Sequence, residues 1–126
     1  MSVAVVTGSS GLVGSETARF LHAQGLDVVG IDNNMRAYFF GADGSVDWNA
    51  RAVAEALPRY THHAVDIRDT AAIDAIFARY GNDVSAVVHC AAQPSHDWAA
   101  REPLTDFTVN ANGTLNMLEA VRKHCP

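Results

Sequence analysis

The sequence predicts an α/β fold: a parallel sheet with helices packed on both faces. Three observations carry this. Strand-like and helix-like stretches alternate four times over 126 residues, and strands separated by helices pair in parallel. The fourth apolar run, Val84 to Cys90, is nearly continuous rather than alternating, as in a sheet covered on both faces. The first run, Val3-Ala4-Val5-Val6-Thr7, opens directly into three glycines spaced three apart, and then into a helical pattern. Strand, tight turn and helix in that order form the start of a dinucleotide-binding unit.

Each glycine has a physical task. Gly8 lets the chain leave the strand in a conformation that a side chain forbids. Gly11 lets backbone N–H groups approach a pyrophosphate, and Gly14 lets the helix pack tightly on the strand. The helix N-terminus then presents free N–H donors and partial positive charge to the anion. Val13, Thr17 and Leu21 follow at helical spacing, with Gly14 and Ala18 beside them, as one narrow face for the sheet. Gly25 stands where a helix C-cap belongs.

Asp27 to Asp32 reads as the second strand, ending in an acid 18 residues after Gly14. At about that separation from the glycine turn, a carboxylate can accept hydrogen bonds from both adenosine ribose hydroxyls. It repels a 2′-phosphate, so the pattern favours NAD over NADP, with Arg36 the one nearby residue arguing otherwise. A bland reading of Asp32, as the cap of the next turn, stands beside this one. Asn33 to Asn49 is the least regular region, read as a loop with a short helix, and it contains the aromatic Tyr38-Phe39-Phe40. Trp48 to Leu57 reads as a helix stopped by Pro58.

Tyr60 to Val65 reads as the third strand. His62 and His63 are adjacent and so point to opposite faces, which argues against a metal pair. A helix begins at Asp69, with Ile73, Ile76 and Phe77 on one face and Gly81 at its end. After the fourth strand comes the loop Ala91 to Trp98, at the strand end where open α/β sheets place ligands. Ala91 and Ala92 are small enough for a cofactor to lie against backbone. Ser95 and His96 are candidates to meet a substrate. With Asp97 they spell a hydrolase triad, but adjacent residues do not converge on one atom as triads do. A last helix starts at Pro103, with Leu104, Phe107, Ala111, Leu115, Leu118 and Val121 at helical spacing. Asn110 to Thr114 are poor helix formers within it, either because of close packing or a polar contact there or as a tolerated weak helix centre.

The composition excludes other classes. A net charge of −5 with no basic stripe argues against nucleic-acid binding. No apolar run reaches membrane-spanning length, and no basic region precedes the first apolar residues as in a signal peptide. Cys90 and Cys125 form no C-x-x-C pair and read as reduced thiols, which suggests the cytoplasm. Cys90 reads as a small core residue.

Thr7-Gly8-Ser9-Ser10-Gly11-Leu12-Val13-Gly14 resembles the T-G-x-x-G-x-x-G motif of the extended short-chain dehydrogenase/reductase family. Asp32-Asn33-Asn34, Asp66-Ile67, His89-Cys90-Ala91-Ala92 and Asn110 to Ala120 resemble its NAD-dependent nucleotide-sugar epimerases and dehydratases, in the right order. Ala91 to Ala99, with Asp32 to Arg36, is most similar to the CDP-paratose 2-epimerase branch. The resemblance implies a Rossmann-type domain and a set of roles. Gly8, Gly11, Leu12 and Val13 would hold the pyrophosphate. Asp32, Asn33, Asn34, Met35 and Arg36 would surround the adenosine ribose. Asp66 and Ile67 would flank the adenine, Ala91 and Ala92 would line the path to the nicotinamide ribose, and Asn110 would support the site. The implied reaction is oxidation of a sugar carbinol by bound NAD and return of hydride to the opposite face.

The family's catalytic Y-x-x-x-K, its Ser/Thr and its substrate domain lie beyond the fourth strand and the following helix. Tyr38, Tyr60 and Tyr80 all lack a lysine four residues on, and the only lysine is Lys123. The expectation is an incomplete NAD-binding domain over residues 1–126, inactive alone, belonging to a parent that takes a nucleotide sugar. The alternative is a stand-alone, non-catalytic NAD-binding module, or a subunit completed by another chain. In the strand order 3-2-1-4 the fourth strand would be an open apolar edge, through which the chain could self-associate.

Overall fold

The computed structural model describes all residues, Met1–Pro126. Four strands, β1 (Val3–Thr7), β2 (Asp27–Ile31), β3 (Tyr60–His63) and β4 (Val84–His89), form one sheet in the order β3-β2-β1-β4. Every pairing is parallel. This is the predicted 3-2-1-4 order. The connecting helices are α1 (Leu12–Ala23), α2 (Met35–Phe40), α3 (Asp47–Ala56), α4 (Thr70–Tyr80), α5 (His96–Arg101), α6 (Pro103–Phe107) and α7 (Gly113–His124).

The pleat sorts the apolar residues into two cores. Val3, Val5, Val29 and Ile31 pack against Ile73, Ile76 and Phe77 of α4 and Met117 and Ala120 of α7. Val6 and Val28, on the other face, pack against Ala18 of α1 and Val53 and Leu57 around α3. Alternate residues of one strand therefore serve opposite layers, as the period of two requires. β1 is buried at every position because it is central and covered on both sides.

Several expectations needed correction. The third strand stops at His63, because Val65 N–H turns back to the His63 carbonyl (3.0 Å) and leaves the ladder. Another short helix, α5, occupies the end of what reads as loop. The single last helix is broken: α6 runs into a π-turn over Thr108–Asn112 before α7 resumes. The extra residue of a π-turn rotates the helix face. Leu104, Phe107, Leu115 and Leu118 are consequently exposed, while Val109, Gly113, Met117 and Ala120 face the core. Only Val121 of the expected face packs against that core.

On α1 the packing face is Gly14, Ser15 and Ala18, with Leu21 partly buried and Val13 exposed. β4 is only half-buried and its outer edge is free, so it lacks the two-sided cover its apolar run predicts. The register puts Thr7, Ile31, His63 and His89 level at one end of the sheet. The loops after all four strands gather there. β1 is also where the strand order reverses, the position at which open α/β sheets bind ligands.

Candidate functional site

The glycine turn is built as its spacing demands. Gly8 has φ +64°, and a Cβ on it would lie 2.9 Å from the Ala91 nitrogen. A Cβ on Gly14 would sit within the Gly8 carbonyl. Gly11 has an extended backbone and caps α1 without a side chain, leaving the first N–H groups of the helix open. Leu12 and Val13 are exposed at that first turn and do not line the cavity beside it. Tyr60 supports the turn from below. Its hydroxyl donates to Ser9 Oγ (3.0 Å) across Gly30, where any Cβ would meet that phenol.

Asp32 follows β2 and is half-buried. Its Oδ2 accepts from Ser10 N–H (3.0 Å) and its Oδ1 from Asn34 N–H (2.8 Å). The carboxylate closes the turn after β2 and also reaches the glycine turn. Asn34 adopts φ +59°, the left-handed region that asparagine tolerates. Its side chain accepts from Val46 N–H (2.8 Å) and donates to Ser45 Oγ (3.0 Å).

A cavity of about 190 Å³ opens at this end of the sheet. Gly8, Gly11, Asp32, Asn33, Met35, Arg36, Asp66, Ile67, Ala91 and Ala92 line it together. The arrangement thus unites segments that are up to 84 positions apart in the chain. The Arg36 guanidinium stacks over the Phe40 ring, 4.8 Å from its centroid. Asp66 accepts from Arg68 Nε (3.1 Å to Oδ1), Nη2 (2.7 Å to Oδ2) and its backbone N–H (2.9 Å). Burial pushes the Asp66 carboxyl up, but the Arg68 bonds outweigh it and hold the group below the usual range.

Asn110 lies outside the cavity lining and acts on the loop after β4. Its Oδ1 accepts from Gln93 N–H (2.8 Å) and its Nδ2 donates to the Gln93 carbonyl (3.3 Å). Gln93 is buried, and its amide donates to the Asp106 carboxylate and the Ser95 carbonyl. The Ser95 hydroxyl caps α5 by accepting from Trp98 N–H (3.3 Å), and His96 is exposed in the first turn. The π-turn that displaces the last helix is what brings Asn110 to this loop, and Gly113 packs its bare Cα against Ile67.

A second polar chain crosses β1, β4 and α7. Thr7 Oγ1 accepts from Ala91 N–H (3.1 Å) and lies 2.6 Å from His89 Nδ1. His89 Nε2 lies 3.2 Å from Thr114 Oγ1, which donates to the Asn110 carbonyl (2.7 Å). The donors balance when Thr7 donates to Nδ1 and Nε2–H donates to Thr114, so the ring is neutral. Burial pushes the His89 pKa down, in agreement. Burial also pushes the Cys90 thiol up, which disfavours its thiolate at the cavity wall.

These features fit a dinucleotide. The glycine cradle is one that any Cβ at Gly8 or Gly14 would fill. Ser10 Oγ is buried in the turn without a partner. The Asp32 carboxylate stands beside the turn, with the small side chains of Ala91 and Ala92 on the cavity wall. The residues that sequence reasoning missed are Asn49, Tyr60, Arg68, Gln93 and Asp106. Only Arg68, next to Asp66-Ile67, had a local signal.

Comparison with known proteins agrees. The NAD dependent epimerase/dehydratase family pattern matches residues 4–126. CDP-paratose 2-epimerase of Salmonella typhi is 32% identical over 120 residues, which cover 95% of this chain and 32% of that enzyme. Human UDP-glucose 4-epimerase is 33% identical over 121 residues, covering 95% of this chain and 34% of the enzyme. The structure of Thermus thermophilus UDP-glucose 4-epimerase in complex with NAD superposes with a TM-score of 0.74 at 32% identity, covering 98% of this chain and 34% of that one. The chain spans about a third of the length of the relatives it matches. No helix is long and apolar enough to cross a membrane. With its four-stranded parallel sheet, its glycine turn and the acid beside that turn, the chain belongs to the NAD dependent epimerase/dehydratase family.

Proposed function

We propose that residues 1–126 form the NAD-binding portion of a nucleotide-sugar epimerase, with a substrate of the CDP-paratose type. The observation that carries this reading is the placement of Asp32 against the glycine turn at the sheet's switch point. The N–H groups at the start of α1 bind the pyrophosphate. Asp32 accepts from the adenosine ribose hydroxyls, and its charge excludes a 2′-phosphate. Asn33, Asn34, Met35 and Arg36 wall the ribose, while Asp66 and Ile67 flank the adenine. Ala91 and Ala92 leave room for the nicotinamide ribose, with Asn110 holding their loop in place. When bound, NAD supplies reversible hydride transfer at a sugar carbinol. Ser95 and His96, at the start of α5, face the substrate side.

The general base expected for such chemistry is a tyrosine whose pKa a lysine lowers. Tyr38 bonds to Glu102, which raises its pKa, and burial raises that of Tyr60. Neither suits a base, so these residues alone bind cofactor without turnover. The half-buried thiols Cys90 and Cys125 support a reducing, cytoplasmic setting.

Calorimetric titration of the chain with NAD and NADP tests the reading. Saturable NAD binding tighter than NADP binding is expected. Asp32→Ala should weaken NAD by about tenfold, as loss of charge-assisted bonds does, and NADP far less. Absence of NAD binding, or equal loss of both cofactors, would overturn it.

A further inference from the structure

Five residues close a ring of hydrogen bonds beside the site. Asn49, buried at the start of α3, donates from Nδ2 to the Ser10 carbonyl (2.9 Å). Ser10 N–H donates to Asp32 Oδ2 (3.0 Å), and Asn34 N–H donates to Asp32 Oδ1 (2.8 Å). Asn34 Oδ1 accepts from Val46 N–H (2.8 Å). The Val46 carbonyl accepts from Asn49 N–H (3.0 Å), which returns to the starting residue.

The ring joins three segments that sequence separates: the glycine turn, the end of β2 and the entry to α3. Asn49 anchors the peptide between Ser10 and Gly11 with its carbonyl turned toward α3. A carbonyl that swung toward the start of α1 would repel a phosphate. The neighbouring peptide supplies the Ser10 N–H that orients Asp32. Asn34 holds the other carboxylate oxygen and ties its own left-handed turn to the same helix.

We propose that Asn49 is a positioning residue for cofactor selection: through Ser10 it aims the Asp32 carboxylate at the adenosine ribose, and so sets the preference for NAD over NADP. The inference rests on the cofactor reading given under Proposed function. A carboxylate gripped at both oxygens cannot rotate away from an incoming 2′-phosphate. One released from the ring can, and it then tolerates NADP.

The test compares the NAD-to-NADP affinity ratio of the chain with those of Asn49→Asp and Asn34→Gly. Asn49→Asp keeps the shape and removes the N–H donor to Ser10. Asn34→Gly keeps the left-handed backbone and removes the tie to Val46, so it remains informative where a buried aspartate prevents folding. Loss of folded protein lowers both affinities by the same factor and leaves the ratio unmoved. The ratio should fall about five- to tenfold in each folded variant, the scale of one lost hydrogen bond between neutral groups. An unchanged ratio in either folded variant overturns the inference while the cofactor reading stands. Failure of the unaltered chain to bind NAD overturns both.

Discussion

His89 is held neutral between two hydroxyls, Thr7 on one side and Thr114 on the other. Its pKa is lowered by burial alone, so the unfolded chain binds a proton at a pH where the folded chain does not. Stability from this residue is complete above the ordinary histidine value of about 6.5, and it drains away as pH falls below that value. His63 acts in the same direction, through burial and then the charges of Arg79 and His62. Thermal unfolding followed by circular dichroism from pH 7.5 to 5 should therefore show a falling midpoint. His89→Gln, which retains a donor toward Thr114, should flatten that fall, with the His63 share remaining. A slope unchanged by the substitution would show that His89 titrates normally. At this scale Asp32 was legible, because its distance from the glycines is a property of the chain. Asn49 and Gln93 were not, since a buried amide is defined by partners 39 and 17 positions away.

Among the elements, two glycines on helices separate backbone crowding from side-chain crowding. A Cβ at Gly14 meets the Gly8 carbonyl, which is pinned by Gly11 N–H (3.0 Å) and has nowhere to go. A Cβ at Gly113 meets the Ile67 Cδ1 at 2.5 Å, the end of a side chain that can change rotamer. Gly14→Ala should destabilise by more than about 3 kcal/mol, at the severe end for single substitutions. Gly113→Ala should cost about 1–3 kcal/mol of overpacking, partly offset by about 1 kcal/mol of helix propensity. Urea unfolding of the two variants measures the difference, and a Gly14→Ala protein as stable as the parent would refute the contact. The same region shows why the last helix misled. Its leucines keep a regular period, but the π-turn at Thr108–Asn112 shifts the phase, and Val109, Gly113, Met117 and Ala120 turn inward instead. The weak helix formers from Asn110 to Thr114 were the signal of that break.

On the scale of the molecule, the sheet ends in two edge strands of different character. β3 ends the first half with a short, polar strand, whereas β4 presents an apolar edge beside a groove lined by Val87, Met117, Leu118 and Val121. Leu104, Phe107 and Leu115 add exposed apolar surface on α6 and α7. A free edge and a large apolar patch both favour association. Light scattering should therefore find the mean mass of the isolated chain rising with concentration. A single monomeric mass up to millimolar concentration would show that the open edge does not drive association.

Local pattern was enough for the order of elements, the parallel sheet, the glycine turn and the acid after the second strand. Each of these depends on residues close in sequence: a β-branched run, a glycine where φ is positive, a helix face, a fixed separation. The tertiary structure decided which face the last helix buries, where the third strand ends and which polar residues hold the site together. Those outcomes depend on contacts between distant segments. Asn49 reaches Ser10, Asn110 reaches Gln93 and His89 bridges Thr7 to Thr114 only once the sheet has set four strand ends level.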